Sequence, residues 1–311
     1  MRMLVVGAGS IGGLFGGRLV QAGRDVTFLV RPKRAEQLAR TGLQIVSPHG
    51  DATVHPQLLT SADLTAPFEV VLLSVKAYSL EPAMADIAES VGPGTMILPV
   101  LNGMRHLEVL GQRFGKGAVI GGACKAATRL DDQGRIVQLT RLQEILYGEL
   151  DGSASPRIAA LDAFMQGAGF TARATDSIAL EMWRKWALLA SIGGVTCLAR
   201  ANTGEIEAVP GGRDFLLAFF REVVAVIEAV GMPLGGDFLA DTAKYLVRPG
   251  APTTSSMYRD LMGGQATEAE QIIGDLLRRG QAAGVATPLL AACNVQLAAY
   301  EQRRRNSGAR A

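Results

Sequence analysis

An apolar segment near the start of the chain runs directly into a glycine-rich turn. Residues 3–6 are Met-Leu-Val-Val, and the next six residues are Gly7, Ala8, Gly9, Ser10, Ile11 and Gly12. Glycine permits a sharp turn at residue 7, a close backbone approach to another molecule at residue 9, and tight helix packing at residue 12. The following helix would present free N–H groups to an anion. These six residues are therefore predicted to bind the pyrophosphate of a dinucleotide.

The flanking sequence favours this interpretation over a tight turn that binds nothing. Apolar residues recur at helical spacing over residues 14–20, Gly23 ends the helix, and residues 25–30 have the composition of a second strand. A glycine motif alone is weak evidence in a chain with 37 glycines. A complete strand, helix and strand around it is much more specific.

The end of the second strand indicates which dinucleotide is bound. An acidic residue there would hold the ribose diol of NAD, but this strand ends in Arg31, followed by Pro-Lys-Arg. A guanidinium can pair with a 2′-phosphate through charged hydrogen bonds, each contributing about 1.5–3 kcal/mol. We therefore predict NADP(H) as the cofactor, with a solvated basic loop as the alternative.

Composition restricts the remaining classes of function. The 311 residues are enough for two domains, and a net charge of +2 gives no electrostatic basis for nucleic-acid binding. No apolar run has membrane-spanning length, and a strand at residue 3 leaves no room for a signal peptide. A cytoplasmic enzyme without membrane or nucleic-acid partners is the expectation.

Cysteine and histidine usage predicts no metal site. The three cysteines are far apart in sequence and are expected to be buried apolar side chains in a reducing compartment. The three histidines have no metal-ligand spacing and are expected at the surface. The residues concerned are Cys124, Cys197, Cys293, His49, His55 and His106.

The order of predicted elements indicates an α/β protein with a doubly wound Rossmann-type sheet over residues 1–174 and an all-α domain over residues 175–311. Residues 70–75 and 96–101 are apolar strands of a covered parallel sheet. Residues 134–139 and 144–148 are predicted as antiparallel hairpin strands that extend this sheet, with a last strand at 170–174. Helices are predicted over residues 177–192, 212–230, 236–247, 267–283 and 287–302. The substrate is expected between the domains.

Residues just after the strands are the first places to look for chemistry in such a fold. Lys76 follows the strand that ends at Val75, and Asn102 follows the strand that ends at Leu101. A surface lysine and a turn asparagine are the structural alternatives. Their shared position at the cofactor edge of the sheet favours a functional role.

Two further residues in the second half could complete a reaction centre. Lys185 lies one helical turn after Glu181 beside two tryptophans, so it is either half of a surface ion pair or a proton donor to a carbonyl oxygen. Thr267 and Glu270 have capping-box spacing, which gives Glu270 a structural role. Glu268 is not needed for that cap, so it either complements the helix dipole or faces a cationic partner such as Lys185.

These features together resemble the ketopantoate reductase (2-dehydropantoate 2-reductase) family, nearly from end to end. Six motifs occur in the family's order, and together they are specific. They are the glycine turn, Lys76 in Ser-Val-Lys-Ala, Asn102 in Leu-Asn-Gly-Met, Lys185 in Met-Trp-Arg-Lys, Ser255-Ser256-Met257 with Asp260, and Thr267-Glu268.

The resemblance implies reduction of a small 2-oxo acid by NADPH, in the family's case ketopantoate to pantoate for pantothenate and coenzyme A synthesis. It implies that Lys185 is the catalytic lysine and Glu268 its carboxylate partner. Asn102 would contact cofactor and substrate, Ser256 would hold the substrate carboxylate, and Asp260 would support it. Arg31, Lys76 and the backbone of Ala127 would contact the cofactor. A homodimer is a further family expectation.

The segment after Lys185 departs from the family pattern. Leu189 and Gly193 stand where family members carry asparagines that help to bind the substrate, and Thr203 stands at the position of another family asparagine. Lost hydrogen-bond partners strongly change discrimination between polar substrates. Ketopantoate is therefore the first substrate expected. The alternatives are a bulkier or less polar 2-oxo acid and a catalytically silent NADPH-binding regulator.

Overall fold

The structure, a computed structural model, describes residues 1–308. Its strands are β1 (Met3–Val6), β2 (Val26–Leu29), β3 (Leu43–Val46), β4 (Ala52–Val54), β5 (Gln57–Leu59), β6 (Val70–Leu73), β7 (Met96–Pro99), β8 (Gly121–Leu130), β9 (Ile136–Gly148) and β10 (Thr171–Ala174). Its helices are α1 (Ser10–Gln21), α2 (Pro32–Thr41), α3 (Leu80–Asp86), α4 (Arg105–Phe114), α5 (Pro156–Met165), α6 (Ile178–Ala199), α7 (Thr203–Glu207), α8 (Gly212–Ala229), α9 (Gly236–Leu246), α10 (Ser256–Met262), α11 (Asp275–Ala282) and α12 (Pro288–Gly308). A π-helical turn, Glu270–Gly274, precedes α11.

The described chain divides into two compact units. One contains residues 1–101 and 106–179, and the other contains residues 102–105 and 180–308. The second unit therefore includes the short loop that directly follows the last strand of the parallel sheet. Its other elements are helices, with the π-helical turn among them.

The first unit contains the predicted doubly wound sheet. All pairs in the order β5-β2-β1-β6-β7 are parallel, with Met3 opposite Val26 on one side and Val70 on the other. Strand order reverses around β1, which places the turn after β1 at the switch point where such sheets bind their ligands. The sequence prediction of a Rossmann-type sheet followed by a helical region is confirmed.

Alternation along the strands builds the core on both faces of this sheet. Val5, Phe28 and Leu72 face one core, while Val6 and Leu73 face the other, and all are buried. The first core also receives side chains from α1, α5 and a second sheet, and the second core receives side chains from α3 and α4. Burial on both faces explains why the strands are almost continuously apolar.

The predicted hairpin over residues 134–148 is wrong. Residues 136–148 form the single strand β9, which is exposed over residues 139–142, and its antiparallel partner is β8. The two strands belong to a second sheet with β3, β4 and β10, so they do not extend the first. The sequence Gly-Gly-Ala-Cys-Lys-Ala at the start of β8 lacks the β-branched and aromatic residues that are typical of strands.

Glycines allow α1 to pack between the two sheets. A Cβ at Gly16 would meet the Phe28 ring of the first sheet, whereas a Cβ at Gly13 would meet Ile136 of the second. A Cβ at Gly17 would also meet Leu43 of the second sheet, 2.6 Å away. The helix that follows the glycine turn is thus fixed on two opposite faces.

The predicted helices of the second half are largely confirmed. The predicted 177–192 helix continues to Ala199, and the predicted 212–230 and 236–247 helices correspond to α8 and α9. The predicted 267–283 helix is wrong at its start. Residues 265–268 are irregular, and the next turn is π-helical before α11 begins.

The cysteine and histidine predictions have mixed outcomes. All three cysteines are free and buried, as predicted, and burial raises the pKa of Cys197 to about 12. His49 and His55 are exposed, but His106 is only 4% exposed, so its predicted surface position is wrong. It lies on the inner side of α4, where helical periodicity turns it away from solvent.

Within residues 1–308, no three His, Cys, Asp or Glu side chains are arranged to hold a metal ion. None of the helices described is both long enough and apolar enough to cross a membrane.

Candidate active site

The glycine turn has the backbone geometry that its sequence predicts. Gly7 has φ +92°, a value that other residues rarely adopt, and it follows β1 directly. A Cβ at Gly12 would overlap the Ser74 hydroxyl and meet the Gly7 carbonyl. The Ser74 Oγ donates to the carbonyl oxygen of Val6 at 3.1 Å, which ties the end of β1 to the end of β6.

The front of this turn is open enough for a phosphate group. Gly9 caps the N-terminus of α1 without a side-chain hydrogen bond, and a Cβ placed on it would meet no atom within 4 Å. The first turn of α1 contains no acidic residue, so its positive end is not compensated. These features fit a dinucleotide pyrophosphate, which a Gly9 side chain would obstruct.

The basic segment after β2 contains two arginines with different roles. Arg31 is the N-cap residue of α2 and its side chain is exposed. Arg34 instead donates to the carbonyl oxygens of Ala8 and Gly134 at 3.2 and 2.9 Å. Burial lowers the pKa of Arg34 below its ordinary value. Arg34 thus joins the glycine turn to the β8–β9 connection, a role that we did not assign from the sequence.

The other two predicted cofactor residues of the first unit also lie at irregular backbone. Lys76 comes three residues after β6, is half-buried, and caps a short 3₁₀ turn. Ala127 lies in β8 where its register against β9 shifts between Ala126 and Thr128. Its backbone is therefore outside the regular ladder, as a residue that binds through its backbone would need to be.

The second unit brings two predicted site residues into direct contact. The Asn102 side-chain amide donates to Glu268 Oε2 at 3.1 Å, although 166 positions separate them in sequence. Glu268 is 4% exposed. Next to Asn102, Gly103 has φ +78° and lies so close to Gln271 that a Cβ would be 2.5 Å from the Gln271 carbonyl oxygen. The loop after β7 is therefore packed tightly on the segment that carries Glu268.

A buried tryptophan connects the helix of Lys185 to the same segment. Lys185 is half-buried on α6, and the neighbouring Trp186 is 1% exposed. The Trp186 indole N–H donates to the Ile272 carbonyl oxygen at 3.0 Å, and the Ile272 N–H donates to the Glu268 carbonyl oxygen at 3.0 Å. Ile272 lies in the π-helical turn, a conformation often found at functional sites.

The capping box predicted for Thr267 and Glu270 is wrong. The Thr267 N–H and hydroxyl both donate to Glu301 Oε1, at 2.7 and 2.8 Å. Glu270 instead pairs with Arg278 at 2.7 Å and Arg105 at 3.8 Å. A carboxylate from a distant helix has replaced the local cap, which a three-residue spacing cannot reveal.

Ser256 and Asp260 lie one helical turn apart on α10, and both are half-buried. The preceding Ser255 caps this helix, since its Oγ accepts from the Tyr258 N–H at 2.9 Å. Gly193 of α6 packs against α10, because a Cβ there would be 2.8 Å from Met257 Cε. A side chain at Gly193, where the sequence departs from the family pattern, would therefore require the end of the Met257 side chain to move.

The residue at the third departure also has a structural role. Thr203 is fully buried, and its N–H donates to the Thr253 carbonyl oxygen at 3.1 Å. This bond holds the segment that leads into α10. Leu189, in contrast, is half-buried on α6, one turn beyond Lys185.

The predicted site residues therefore form two sets, one in each unit. Those of the glycine turn, with Arg31, Lys76 and Ala127, belong to the first unit. Asn102, Lys185, Ser256, Asp260 and Glu268 all belong to the second. The second set offers an amine, a carboxylate, an amide and a hydroxyl, which can donate a proton and bind a polar substrate.

The chain matches two family models that together cover most of its length. Residues 3–152 match the model described as ketopantoate reductase PanE/ApbA, and residues 177–301 match the model of the C-terminal part of the same family. A curated relative, the uncharacterized oxidoreductase YkpB of Bacillus subtilis, is 35% identical over 301 residues. That match covers 97% of this chain and 99% of the relative.

Solved structures show the same fold. The 2-dehydropantoate 2-reductase of Geobacter metallireducens superposes with a TM-score of 0.86 at 27% identity, covering 96% of this chain and 99% of that one. A ternary structure of D-mandelate dehydrogenase with NADH and anilino(oxo)acetate also has a TM-score of 0.86, at 21% identity and 98% and 100% coverage. The second likeness is one of fold alone.

Proposed function

The chain belongs to the ketopantoate reductase family PanE/ApbA, whose members are oxidoreductases that use a nicotinamide dinucleotide, and from this premise we propose that it reduces a 2-oxo acid to a 2-hydroxy acid with NADPH. Ketopantoate is the first substrate in this proposal, with pantoate as the product. The enzyme would act on a small molecule in the cytoplasm, as one subunit of a homodimer.

The contact between Asn102 and Glu268 is the observation that carries the proposal. Burying a carboxylate costs several kcal/mol unless it is paired and hydrogen-bonded. Glu268 is buried and held by an amide that follows the last strand of the parallel sheet, in the loop where ligands of such sheets bind. A carboxylate kept in this position is more readily explained by a reaction than by stability.

In the proposed mechanism, a nicotinamide dinucleotide held at the Gly7–Gly12 turn would supply the hydride, with its electron pair, that reduces C2 of the 2-oxo acid. As the carbonyl π electrons move onto oxygen, the Lys185 ammonium group donates a proton to that oxygen, which becomes the hydroxyl. Glu268 stabilises the positive charge of Lys185 before transfer. The Ser256 hydroxyl donates to the substrate carboxylate, with Asp260 as its support, and the Asn102 amide contacts cofactor and substrate.

The basic residue after β2 supports NADPH over NADH. Arg31 is exposed at the N-cap of α2, so its guanidinium is accessible to a 2′-phosphate. The Gly7–Gly12 turn would receive the pyrophosphate, with Lys76 and the Ala127 backbone as further contacts. Replacing Arg31 with alanine should weaken NADPH binding and leave NADH binding nearly unchanged. Equal loss for both cofactors would contradict this assignment.

A less polar 2-oxo acid is the second candidate substrate. One turn beyond Lys185, α6 carries the half-buried apolar side chain of Leu189, and Gly193, which has no side chain, lies against Met257. Neither position can donate a hydrogen bond from a side chain to a substrate hydroxyl. A branched or aromatic 2-oxo acid without that hydroxyl would be preferred in this case.

A panel of 2-oxo acids tests both proposals. NADPH consumption should be measured with ketopantoate, with its analogue that lacks the hydroxyl, and with larger aliphatic and aromatic 2-oxo acids. The hydroxy acid product should be quantified alongside. Highest kcat/KM with ketopantoate supports the first proposal, and highest kcat/KM with the apolar acids supports the second. Tight NADPH binding without turnover on any acid would contradict both and support a silent NADPH-binding regulator.

A further inference from the structure

The segment that carries Glu268 depends on other parts of the chain for its conformation. Residues 265–268 lie between α10 and the π-helical turn and have no regular secondary structure. Its start is fixed by the Gln265 N–H, which donates to the Asp260 carbonyl oxygen at 2.8 Å. Since the irregular backbone lacks a ladder of its own bonds, its remaining polar groups need partners elsewhere.

The C-terminal helix α12 supplies those partners. The Tyr300 hydroxyl donates to the Gln265 carbonyl oxygen at 2.7 Å. The adjacent Glu301 accepts both hydrogen bonds from Thr267 on one carboxylate oxygen, and its other oxygen accepts from Arg304 Nε at 3.0 Å. Two successive residues of one helix thus fix the backbone at two positions, one and three residues before Glu268.

The charge state of Glu301 suits this task. Burial alone would raise the pKa of Glu301, but the hydrogen bonds from Thr267 and Arg304 together outweigh burial and hold that pKa below its ordinary value. Glu301 is therefore ionised at neutral pH. Hydrogen bonds to an ionised acceptor are stronger than those between neutral groups.

The helix itself is a rigid support. At its start, both Glu222 carboxylate oxygens accept from backbone N–H groups, those of Leu289 and Leu290, at 3.0 and 2.9 Å. Along its length Leu290, Cys293 and Leu297 are fully buried. A helix anchored at its first turn and along one face can hold a loop through side chains near its middle, such as those of Tyr300 and Glu301.

We propose that Glu301, assisted by Tyr300, is a positioning residue that sets the place of the Glu268 carboxylate through Thr267. This inference rests on the proposed function of Glu268 in the reduction. Thr267 is the immediate neighbour of Glu268, so a change in its backbone moves the carboxylate relative to Asn102. A misplacement of about 1 Å in a reaction centre can lower a rate by about a hundredfold.

Glu301→Ala and Glu301→Gln separate positioning from a purely structural role. The alanine variant removes the acceptor, so kcat with the best 2-oxo acid should fall by at least about tenfold, as expected for a displaced reacting group. The glutamine variant keeps an oxygen acceptor for Thr267 and should recover most of that loss. The dissociation constant of NADPH, whose proposed contacts lie mainly in the first unit, should stay within about twofold for both.

Two additional measurements keep the test independent of simple destabilisation. Glu149→Gln is the matched control, because Glu149 is also a carboxylate held by two partners, Ser155 and Arg157, but lies in the first unit. It should lower the melting temperature without lowering kcat. Amide hydrogen exchange over residues 263–270 should accelerate in Glu301→Ala, since the Thr267 N–H loses its acceptor.

The outcomes distinguish the failure of this inference from the failure of the proposed function. A wild-type protein with no turnover on any 2-oxo acid would overturn the function and, with it, the role given to Glu301. Wild-type turnover together with an unchanged kcat in Glu301→Ala would overturn the inference alone. So would a loss in Glu301→Ala that Glu301→Gln does not reduce.

Discussion

The glycine turn over residues 7–12 and the irregular segment over residues 265–268 are both proposed to carry functional residues, but they are built in different ways. The turn takes its shape mainly from its own glycines, since φ is positive at Gly7 and a Cβ at Gly12 would meet the Gly7 carbonyl oxygen. Arg34 adds a hydrogen bond to Ala8 from outside the turn. The segment takes its shape from three side chains of two other elements, the loop after β7 and α12. Asn102 holds Glu268, Glu301 holds Thr267, and Tyr300 holds the Gln265 carbonyl.

This difference decides what a substitution does in each region. A change inside the glycine turn acts where it is made, on the backbone or on the space for the cofactor. A change that affects the second segment can lie more than thirty residues away, as Glu301 does. The two regions therefore call for different variants.

The largest effect on cofactor binding is expected in the glycine turn. Gly9→Ala should weaken NADPH binding by at least about tenfold, because its methyl group would occupy the space that the close backbone approach leaves for the pyrophosphate. The fold should be unaffected, since that Cβ meets no atom within 4 Å. Calorimetric titration with NADPH and thermal unfolding would measure both quantities.

Gly12→Ala and Gly94→Ala complete this comparison. The Gly12 variant would overlap Ser74, so it should also lower stability, by about 1–3 kcal/mol. Gly94, where a Cβ also meets no atom, is the neutral control for both quantities. An unchanged NADPH affinity in Gly9→Ala would contradict the prediction that the pyrophosphate binds at this turn.

The same contrast explains how much the sequence could predict. The strand, turn and helix around Gly7 are encoded by neighbouring residues, so their pattern predicted the sheet and the turn correctly. The capping box at Thr267 was predicted from neighbours too, and it failed because Glu301 competes from another helix. Strand β8 was missed for a related reason, since its small residues become a strand only through pairing with β9.

The site residues show the same contrast between features encoded by neighbouring residues and features that depend on distant contacts. The positions of Asn102 and Glu268 were proposed separately, and only the fold shows that their side chains meet. Arg34 had a weak signal as part of a basic run, but its bond to Ala8 depends on how α2 packs. No spacing rule connects Tyr300 or Glu301 to the segment before Glu268.

A smaller effect is expected at the tryptophan that joins α6 to the π-helical turn. Trp186→Phe leaves the Ile272 carbonyl without its donor, which should lower stability by about 1–3 kcal/mol. It should also reduce kcat several-fold, because Ile272 is bonded to the Glu268 backbone. Chemical denaturation and steady-state kinetics would measure the two effects.

Trp183→Phe is the matched control for Trp186→Phe. Both rings lie beneath the Arg279 guanidinium, at 5.8 and 5.7 Å, but only Trp186 bonds to Ile272. If both variants reduce kcat equally, the indole hydrogen bond does not position the segment.

The smallest effect concerns acid stability and compares a carboxylate in each region. Hydrogen bonds from Arg157 and Ser155 outweigh burial and lower the pKa of Glu149, and those from Thr267 and Arg304 do the same for Glu301. A lowered folded-state pKa means that each carboxylate stabilises the fold above the ordinary glutamate pKa of about 4.3. That contribution is lost as pH falls through the lowered pKa.

Melting temperature measured as a function of pH tests this prediction. Glu149→Gln and Glu301→Gln should each show a shallower loss of stability than wild type as the pH falls below about 4.3. A steeper loss in either variant would contradict the direction of that residue's pKa shift.

The most direct test of the proposed reduction is the turnover of Lys185→Ala with NADPH already bound. We expect the rate with the best 2-oxo acid to fall by about a hundredfold or more, the scale of a lost general acid, while NADPH affinity stays within about twofold. Lys244→Ala, an exposed lysine of the same unit, should behave as wild type. A rate near that of wild type in Lys185→Ala would contradict the account.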